Sequence, residues 1–540
     1  MKTAKKVALN TVIMYVQLIM NVLIGLISVR LILKALGHSD YGLYDLIGGI
    51  VGLLSFISNS LAQSSMRFIS VSLGKKDLAD TNRVFNSCFW LHIFIALILC
   101  TILEVVGLFI FDGYLNIPDG RVGTAKIIFH CMVVSLFIKI NSSPMSALIT
   151  SYEDFWYKAL VSITDSLLKL VIAVIITYHM NDKLLLYGIL MVCITLINYS
   201  MYYIYCRTKF KPIIILHKPS KGSLKPLVGF AGWTLLDTFS SVINRQGYSV
   251  LLNKFFGTTM NASFAVSRQL EGHMFSVSSS VVSSMKPQIM KSHGANDDAR
   301  MFRLSMTAGK FGFYMMSLII IPLLFMMPDV LDLWLENVPE NAAEFSKLLL
   351  IACMAEQLTR GLVYANQAVG NIKWFSIVVS TMRILALPVS WVFLHYGSPA
   401  WVAIFVFMIF ETIGSFCRII ILSKITDFRI KDFVNDVFIR IIPPTIVALL
   451  FCYLVYPVKS GVVWMIVVTL ASCVIYAVSA YFIGLPIRPF RTVADSHAIA
   501  CGTIAPAFQL QMEPHTELTR HLIIYTGGFL ESCPGLSLIL

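Results

Sequence analysis

Long apolar runs separated by short polar breaks dominate the hydrophobic pattern of this chain. Most runs extend for about 20 to 28 residues, the length an α-helix needs to cross about 30 Å of hydrocarbon. Strands that cross a membrane would alternate apolar and polar positions with a period of two, and these runs do not. The pattern therefore predicts an all-α polytopic membrane protein.

The lengths and positions of the runs predict about fourteen transmembrane helices. The predicted bounds are 8–33, 43–73, 84–111, 122–149, 157–179, 184–206, 226–253, 260–287, 302–327, 345–369, 374–396, 399–423, 433–456 and 461–484. Several runs exceed the bilayer thickness, which predicts tilted helices. The basic start MKTAKK precedes an apolar run that is too long for a signal peptide, so we interpret it as an uncleaved first helix.

Composition agrees with this class of protein. Of the 540 residues, 57% are hydrophobic and 13% are charged, and the mean hydropathy is +0.78. A soluble domain carries about 25% charged residues. The chain is thus too apolar for a soluble protein of this length.

The placement of Lys and Arg orients the chain. With the N-terminus inside, the outer loops hold only a few of these residues, namely Lys34, Arg121, Lys183, Lys254, Lys347 and Lys459. An excess of Lys and Arg marks the cytoplasmic side of a membrane protein. We therefore expect both termini in the cytoplasm. The formal net charge of +13 then reflects topology, and we predict no nucleic-acid partner.

A basic linker and an internal repeat predict two lobes. The segment 207–225 is the longest basic inside loop, and Lys34, Gly37 and Gly74 recur as Lys254, Gly257 and Gly294 at one constant offset. Six helices per repeat is an even number, so both repeats would insert in the same orientation, with substrate bound between them. The predicted parts are an N-terminal lobe (1–206), a C-terminal lobe (226–423), two further helices (424–484) and a cytoplasmic tail without assigned function (485–540).

Polar residues inside predicted helices mark candidate walls of a cleft between the lobes. These are Arg30, Ser64, Arg67, Asp237, Asn244, Arg245, Arg268 and Glu271. A charge at mid-membrane depth costs about 2.5–3.5 kcal/mol on insertion scales, so it is expected to face a partner or a water-filled cavity. Two simpler interpretations stay open: Arg268 and Glu271 form a structural pair within one helix, and Arg30 and Arg67 snorkel to the interface.

Three further polar features lie within predicted helices. Asp165 with Lys169, and Glu356 with Arg360, are spaced four apart and are expected to pair within their helices. Lys139, just before Pro144 in the fourth predicted span, has no evident partner in the sequence.

Signals of catalysis are sparse. The chain has no HExxH, Walker A or GxSxG motif, and its 11 cysteines include no CxxC, so we predict no enzyme, no cofactor and no metal site. Active transport would then draw on an ion gradient. Asp237 and Glu271 are the candidate acids for proton or sodium coupling.

One stretch carries a resemblance to a known family. VRLILKALGHSDYGLYDLIGGI, followed by SSMRFIS and LGKKD, resembles the opening of bacterial Wzx-type polysaccharide (O-antigen and capsule) flippases. These belong to the MOP superfamily, together with the lipid II flippase MurJ and the multidrug MATE exporters. The matching pattern is an arginine, an apolar run, Leu36 to Tyr44, and an arginine late in the second span.

The resemblance implies two six-helix lobes in a MATE-like V plus two C-terminal helices. It also implies alternating access and a cationic central cavity that holds an undecaprenyl-diphosphate-linked oligosaccharide at the inner membrane. By this resemblance Arg67 and Arg245, then Arg30 and Arg268, with Asn244 and Ser64 beside them, are candidate contacts to substrate. Arginine suits phosphate because its planar fork donates paired hydrogen bonds. The implied partners are that glycan, the lipid bilayer and other polysaccharide assembly proteins.

Two other functions stay open. A cation-coupled multidrug exporter would share the fold but would more naturally present acidic and aromatic walls. A membrane-embedded glycosyltransferase or polymerase would need acidic catalytic residues in a sizeable outer loop. The only candidate loop, 329–344, is short.

Overall fold

The part of the chain that the structure describes folds almost entirely into long α-helices. The computed structural model describes residues 2–52, 54–111, 120–178, 182–215, 217–218, 221–335, 338–458 and 461–484. The helices are α1 (Lys2–Gly52), α2 (Ser55–Gly74), α3 (Leu78–Ile110), α4 (Val122–Ser151), α5 (Phe155–Tyr178), α6 (Lys183–Lys209), α7 (Lys221–Phe256), α8 (Thr258–Gly294), α9 (Asp298–Trp334), α10 (Ala342–Val369), α11 (Lys373–His395), α12 (Trp401–Ile425), α13 (Ile430–Phe433), α14 (Ile439–Val455) and α15 (Val462–Ser479). The predicted all-α fold class is confirmed.

Twelve helical stretches of the described chain are long and apolar enough to cross a membrane, so the protein is a multi-pass membrane protein. The helices α2 and α8 are not among them, although their 20 and 37 residues give sufficient length. Both are rich in serine and carry charged residues, which lowers their hydropathy. The count of fourteen spans stays a prediction.

The second predicted span, 43–73, falls on two helical stretches. These are the part of α1 that follows a kink at Gly37 and the helix α2, which begins at Ser55. The kink separates them from the first span. Gly37 takes φ 77° and ψ 169°, a conformation that a Cβ atom disfavours, so the chain changes direction there.

Backbone conformation supports the internal repeat. Gly257 has φ 81°, close to that of Gly37, and Lys76 and Asn296 both have φ near 59°. Asp77 and Asp297 follow at the same offset, and each accepts hydrogen bonds from backbone amides in the first turn of the next helix. Equivalent positions therefore make equivalent turns in the two halves.

Helix packing follows the two halves of the chain. In the first half α1 packs against α5, and α4 packs against α3 and α6. In the second half α10 packs against α8, α9 and α12, and α7 packs against α11. The helix α2 joins the halves by packing against α7 and α8. Residues Met1–Ala480 form one compact unit, so the predicted lobe boundaries stay predictions.

The linker between the two halves is shorter than predicted. The helix α6 extends to Lys209 and α7 begins at Lys221, whereas the predicted linker was 207–225. The predicted tail, 485–540, lies outside the described residues.

Candidate functional site

A cavity of about 370 Å³ lies where the second half of the chain faces α2. Helices α7, α8, α10, α11 and α12 form its walls, and Gln63 of α2 contributes from the first half. We call it the charged cavity, because its lining includes eight charged residues: Asp237, Arg245, Arg268, Glu271, Glu356, Arg360, Arg383 and Glu411.

Arg383 of α11 is the centre of an ion-pair network in this cavity. Its Nη1 lies 2.8 Å from Asp237 Oδ1, its Nε lies 3.2 Å from Glu411 Oε2, and its Nη2 lies 3.8 Å from Glu356 Oε1. The side chain is only 12% exposed. One guanidinium thus neutralises carboxylates from α7, α10 and α12, which ties these helices together.

Two further arginines complete the network. Arg418 of α12 is 2% exposed, and its Nη2 lies 3.1 Å from Glu411 Oε1. Arg360 donates a hydrogen bond to Glu356 one turn earlier on α10, so the intrahelical pair predicted from their spacing is confirmed. Each acid of this network therefore has at least one arginine partner.

The two remaining arginines of the cavity differ in their surroundings. Arg268 Nη1 lies 2.7 Å from Glu271 Oε2, so these two residues form the i,i+3 pair that the sequence left open. Arg245 is exposed to the cavity, and no hydrogen bond or ion pair joins its guanidinium to any described residue. Its charge interacts with that of Glu271 without direct contact, so Arg245 is the arginine of this wall whose hydrogen-bond donors are left for an anion.

The other predicted residues lie in varied places. Asn244 lines the charged cavity and donates a 2.6 Å hydrogen bond to the carbonyl oxygen of Arg383. Ser64 is buried and donates to the carbonyl oxygen of Leu227 on α7 at 3.3 Å. Arg30 is exposed and does not line the charged cavity. Ser64 and Arg30 therefore lie outside the charged cavity.

Arg67 does not line the charged cavity in this structure. Its Nη2 donates a 3.1 Å hydrogen bond to the carbonyl oxygen of Ala368, and its Nε donates to that of Gln367. The guanidinium also lies 4.9 Å from the ring centroid of Phe230. In this structure Arg67 binds backbone oxygens at the end of α10 and thereby joins the two halves, and its predicted contact with substrate stays a prediction.

Other contacts close the same end of the molecule. Glu153, just after α4, accepts hydrogen bonds of 2.6 Å from Lys291 Nζ and Gln288 Nε2 of α8. At the ends of α2 and α8, Gly74 and Gly294 allow the two backbones to cross in direct contact, where no Cβ would fit. We call this end, where α2 and α8 terminate, the closed end.

Sequence reasoning missed the core of the charged cavity. Arg383, Glu411 and Arg418 lie within predicted apolar spans. Charged residues inside such spans indicate ion pairs or a cavity, and this signal could have identified them. Only the tertiary structure brings Arg383 to the acids of α7, α10 and α12, because these partners lie on other helices.

The family comparison matches slightly more than half of the chain. A family model described as polysaccharide biosynthesis protein matches residues 7–293. This range covers the first half and the α7–α8 helices that face it. No curated protein matches the chain in sequence.

Solved structures of similar fold cover most of the chain. A MATE transporter in a bent conformation has a TM-score of 0.69 and 13% identity, over 78% of this chain and 95% of its own. A mutant of the Vibrio cholerae MATE transporter VcmN has a TM-score of 0.67 and 15% identity, over 78% and 96%.

A third solved structure is a MOP superfamily transporter from Pyrococcus furiosus, described as having a binding pocket of reverse polarity that suggests a different function. It has a TM-score of 0.63 and 14% identity, over 79% of this chain and 96% of its own. At such identities the likeness establishes the fold, which is that of MATE transporters.

Proposed function

Because the chain belongs to the polysaccharide biosynthesis protein family and has the fold of MATE transporters, we propose that it flips an undecaprenyl-diphosphate-linked oligosaccharide across the bacterial cytoplasmic membrane. Family and fold point to a transporter, so the proposed step is movement of the lipid-linked glycan without covalent chemistry. Transport would serve the assembly of an O-antigen, capsule or exopolysaccharide.

The unpaired arginine of the charged cavity carries this proposal. The acids Asp237, Glu271, Glu356 and Glu411 each form a direct pair with an arginine, whereas Arg245 forms none in the described part of the chain and only interacts with the charge of Glu271 at longer range. A guanidinium stays charged and donates paired hydrogen bonds, which matches a diphosphate. An anionic head group would therefore supply the partner that Arg245 lacks.

The contacts between the halves support alternating access. The hydrogen bonds of Ser64, Arg67 and Glu153 across the two halves all lie toward the closed end. At the other ends of α1, α7 and α8, no hydrogen bond between described residues joins residues 25–52 to residues 240–262. The halves can thus part at one end while they hold at the other.

Ion coupling would act on Asp237 and Glu271 through their arginine partners. A proton or sodium ion that bound either carboxylate would compete with Arg383 or Arg268 for it. A released arginine would then be available to the substrate anion. We propose that binding of the ion and of the glycan head group are linked in this way.

We further propose that the closed end faces the cytoplasm and that both termini lie there. The distribution of Lys and Arg among the loops supports this orientation in a bacterial inner membrane. The glycan would enter from the cytoplasmic leaflet and leave on the other side, where further assembly proteins would use it.

A MATE-type multidrug exporter is the second candidate, and the fold favours it. A site for organic cations would need carboxylates that are free to pair with them. The acids of the charged cavity are already neutralised, which favours an anionic passenger instead.

The leaflet distribution of undecaprenyl-linked oligosaccharide tests the proposal directly. Cells that lack the gene should accumulate it in the cytoplasmic leaflet, and the wild-type gene should reverse this. Arg245→Ala should fail to reverse it while inserting normally, and Arg245→Lys should restore part of the activity. Arg429→Ala is the matched control, since Arg429 is exposed, does not line the charged cavity and is not among the predicted substrate contacts.

An unchanged lipid pool in the deletion strain, with new sensitivity to cationic drugs, would replace the flippase with the exporter. Full transport by Arg245→Ala would remove Arg245 from the site and leave the family assignment intact.

A further inference from the structure

A second cavity, of about 610 Å³, lies within the first half of the chain, between helices α1, α2, α4, α5 and α6. Its volume falls within the range of about 300–1,000 Å³ that is typical of small-molecule sites. The candidate site described above does not include it. We call it the N-terminal cavity.

Polar faces of several membrane helices converge on this cavity. On α4, Ser135, Lys139, Ser142 and Ser146 repeat at intervals of three and four residues, so they share one helix face that lines it. Helices α2, α5 and α6 also contribute polar side chains to the wall. Polar faces on membrane helices are costly unless they meet water, ligand or each other.

The single carboxylate of the wall is already neutralised. Asp165 Oδ2 lies 2.7 Å from Lys169 Nζ, as the spacing predicted, and Asp165 Oδ1 accepts a 2.7 Å hydrogen bond from Asn198 Nδ2. Asn198 Oδ1 is buried and has no hydrogen-bond partner among the described residues. One buried acceptor on the cavity wall is thus left for a donor that the described protein does not supply.

Lys139 is the uncompensated charge of the N-terminal cavity. It is exposed, lies within the second half of α4 and lines the cavity, and its Nζ makes no hydrogen bond or ion pair with any residue that the structure describes. Lys126, near the start of the same helix, is exposed and does not line the cavity. A lone ammonium at this depth needs water or an anion as its partner.

We propose that the N-terminal cavity binds an acidic sugar residue of the transported glycan, with Lys139 pairing its carboxylate or phosphate group. This inference rests on the proposed flippase function and specifies the class of glycan. The serine hydroxyls of α4 donate and accept hydrogen bonds, which suits the hydroxyl groups of a sugar ring. An organic cation would meet the like charge of Lys139 and is disfavoured.

The two cavities suit different anionic groups because their cations differ in geometry. Arginine in the charged cavity matches a diphosphate through a bidentate fork. Lysine in the N-terminal cavity is a compact point charge with three rotatable donors, which suits a single anionic group among hydroxyls. The diphosphate and one acidic sugar would thus occupy different sites.

Binding of simple sugars to the purified full-length protein in nanodiscs tests this inference. The probes are D-glucuronate, D-glucose and acetate, which separate the carboxylate from the sugar ring. The measurement is the rise in the unfolding midpoint as each probe is titrated, because a ligand of the native state raises that midpoint. Wild-type protein should respond to glucuronate at concentrations at which glucose and acetate have little effect.

Variants of the two lysines locate the site. Lys139→Gln should weaken the apparent affinity for glucuronate by about tenfold or more, since hydrogen bonds to charged groups are the stronger ones. Lys139→Arg should retain most of it, and Lys126→Gln should retain all of it. Equal responses to glucuronate and glucose in wild type, an equal response to acetate, or unchanged affinity in Lys139→Gln would each overturn the proposal.

The outcome is distinguishable from failure of the flippase assignment. If the lipid pool depends on this gene while glucuronate does not bind, only the acidic-sugar site fails. If glucuronate binds through Lys139 while the lipid pool is independent of the gene, the site stands and the flippase assignment fails.

Discussion

The guanidinium of Arg67 on α2 lies against the last turn of α10, where its Nη2 donates a 3.1 Å hydrogen bond to the carbonyl oxygen of Ala368. The last carbonyl groups of a helix have no partner within it, and the negative end of the helix dipole favours a cation. A charge that looks misplaced within a membrane span therefore has a built-in partner on the other half of the chain.

The first prediction concerns this contact. Arg67→Ala removes a charged donor that bonds two backbone oxygens, so the closed end should open more often. Hydrogen bonds to charged groups contribute about 1.5–3 kcal/mol, which corresponds to a shift of roughly tenfold or more in the open population. Spin labels can be attached at Lys76→Cys and Ala295→Cys, on the exposed turns after α2 and α8. Electron paramagnetic resonance should show a longer distance between the two labels in Arg67→Ala than in wild type.

Arg83→Ala is the control for this measurement, because Arg83 is an exposed arginine near the same end. A distance distribution that Arg67→Ala leaves unchanged would mean that Arg67 does not hold the halves together.

The second prediction concerns the crossing of α2 and α8. A methyl group on Gly74 would overlap the carbonyl oxygen of Lys291, and one on Gly294 would overlap that of Val71. Gly74→Ala or Gly294→Ala should therefore separate the helices at a cost of about 1–3 kcal/mol, as overpacking does elsewhere.

Thermal unfolding and the same spin-label pair would measure this effect. Gly232→Ala on α7 is the matched control, since nothing lies within 4 Å of its added Cβ. Equal stability of the Gly74 and Gly232 variants would contradict the close crossing.

The third prediction concerns Arg383. Arg383→Met leaves Asp237, Glu356 and Glu411 with fewer cationic partners, and breaking a buried ion pair costs about 3–5 kcal/mol. Adding Asp237→Asn should recover part of this loss, because Arg383 is the only cation within ion-pair distance of Asp237 among the described residues, whereas Glu411 keeps Arg418. Unfolding by denaturant in detergent would give the free energies.

The control for Arg383 is Arg429→Met, which changes an exposed arginine. A double variant no more stable than Arg383→Met alone would argue against a charge-balanced network.

The fourth prediction concerns Asp182, which precedes α6 outside the predicted span. Burial raises the pKa of its carboxyl group. Hydrogen bonds from Thr124 Oγ1 and the Leu185 amide, together with the nearby Arg121 guanidinium, lower this pKa by more, so the net shift is downward. The folded pKa thus lies below the ordinary value of 3.8.

A lowered pKa means that the ionised carboxylate stabilises the fold above the unfolded pKa. The stability advantage of wild type over Asp182→Asn should be constant near neutral pH and should shrink as the pH falls below about 4. Unfolding midpoints of both proteins across this range would test it. An advantage that grows on acidification would reverse the assigned sign.

The internal repeat was visible in the sequence because turns depend on local residues. Gly37 and Gly257 recur where the backbone needs a positive φ, and Asp77 and Asp297 recur where a helix begins. Such positions constrain only their own neighbourhood, so their pattern survives without knowledge of the fold.

The partners of buried charges could not be found in the same way. The pairs Asp165–Lys169 and Arg268–Glu271 lie within one helix and were within reach of spacing arguments. Arg67 with Ala368, and Arg383 with Asp237, join residues far apart in the chain. No periodicity links residues on different helices.

The sequence by itself determined that the chain spans a membrane, that it is helical and where its turns repeat. The lengths of apolar runs and local backbone preferences are properties of short segments. Only the tertiary structure decided which charged residues on different helices form pairs. Ion pairing in a low-dielectric interior depends on distances of a few ångströms between helices. For this reason Arg67 became a contact between the halves, whereas Arg245 and Lys139 line two separate cavities without a direct ion pair to any described residue.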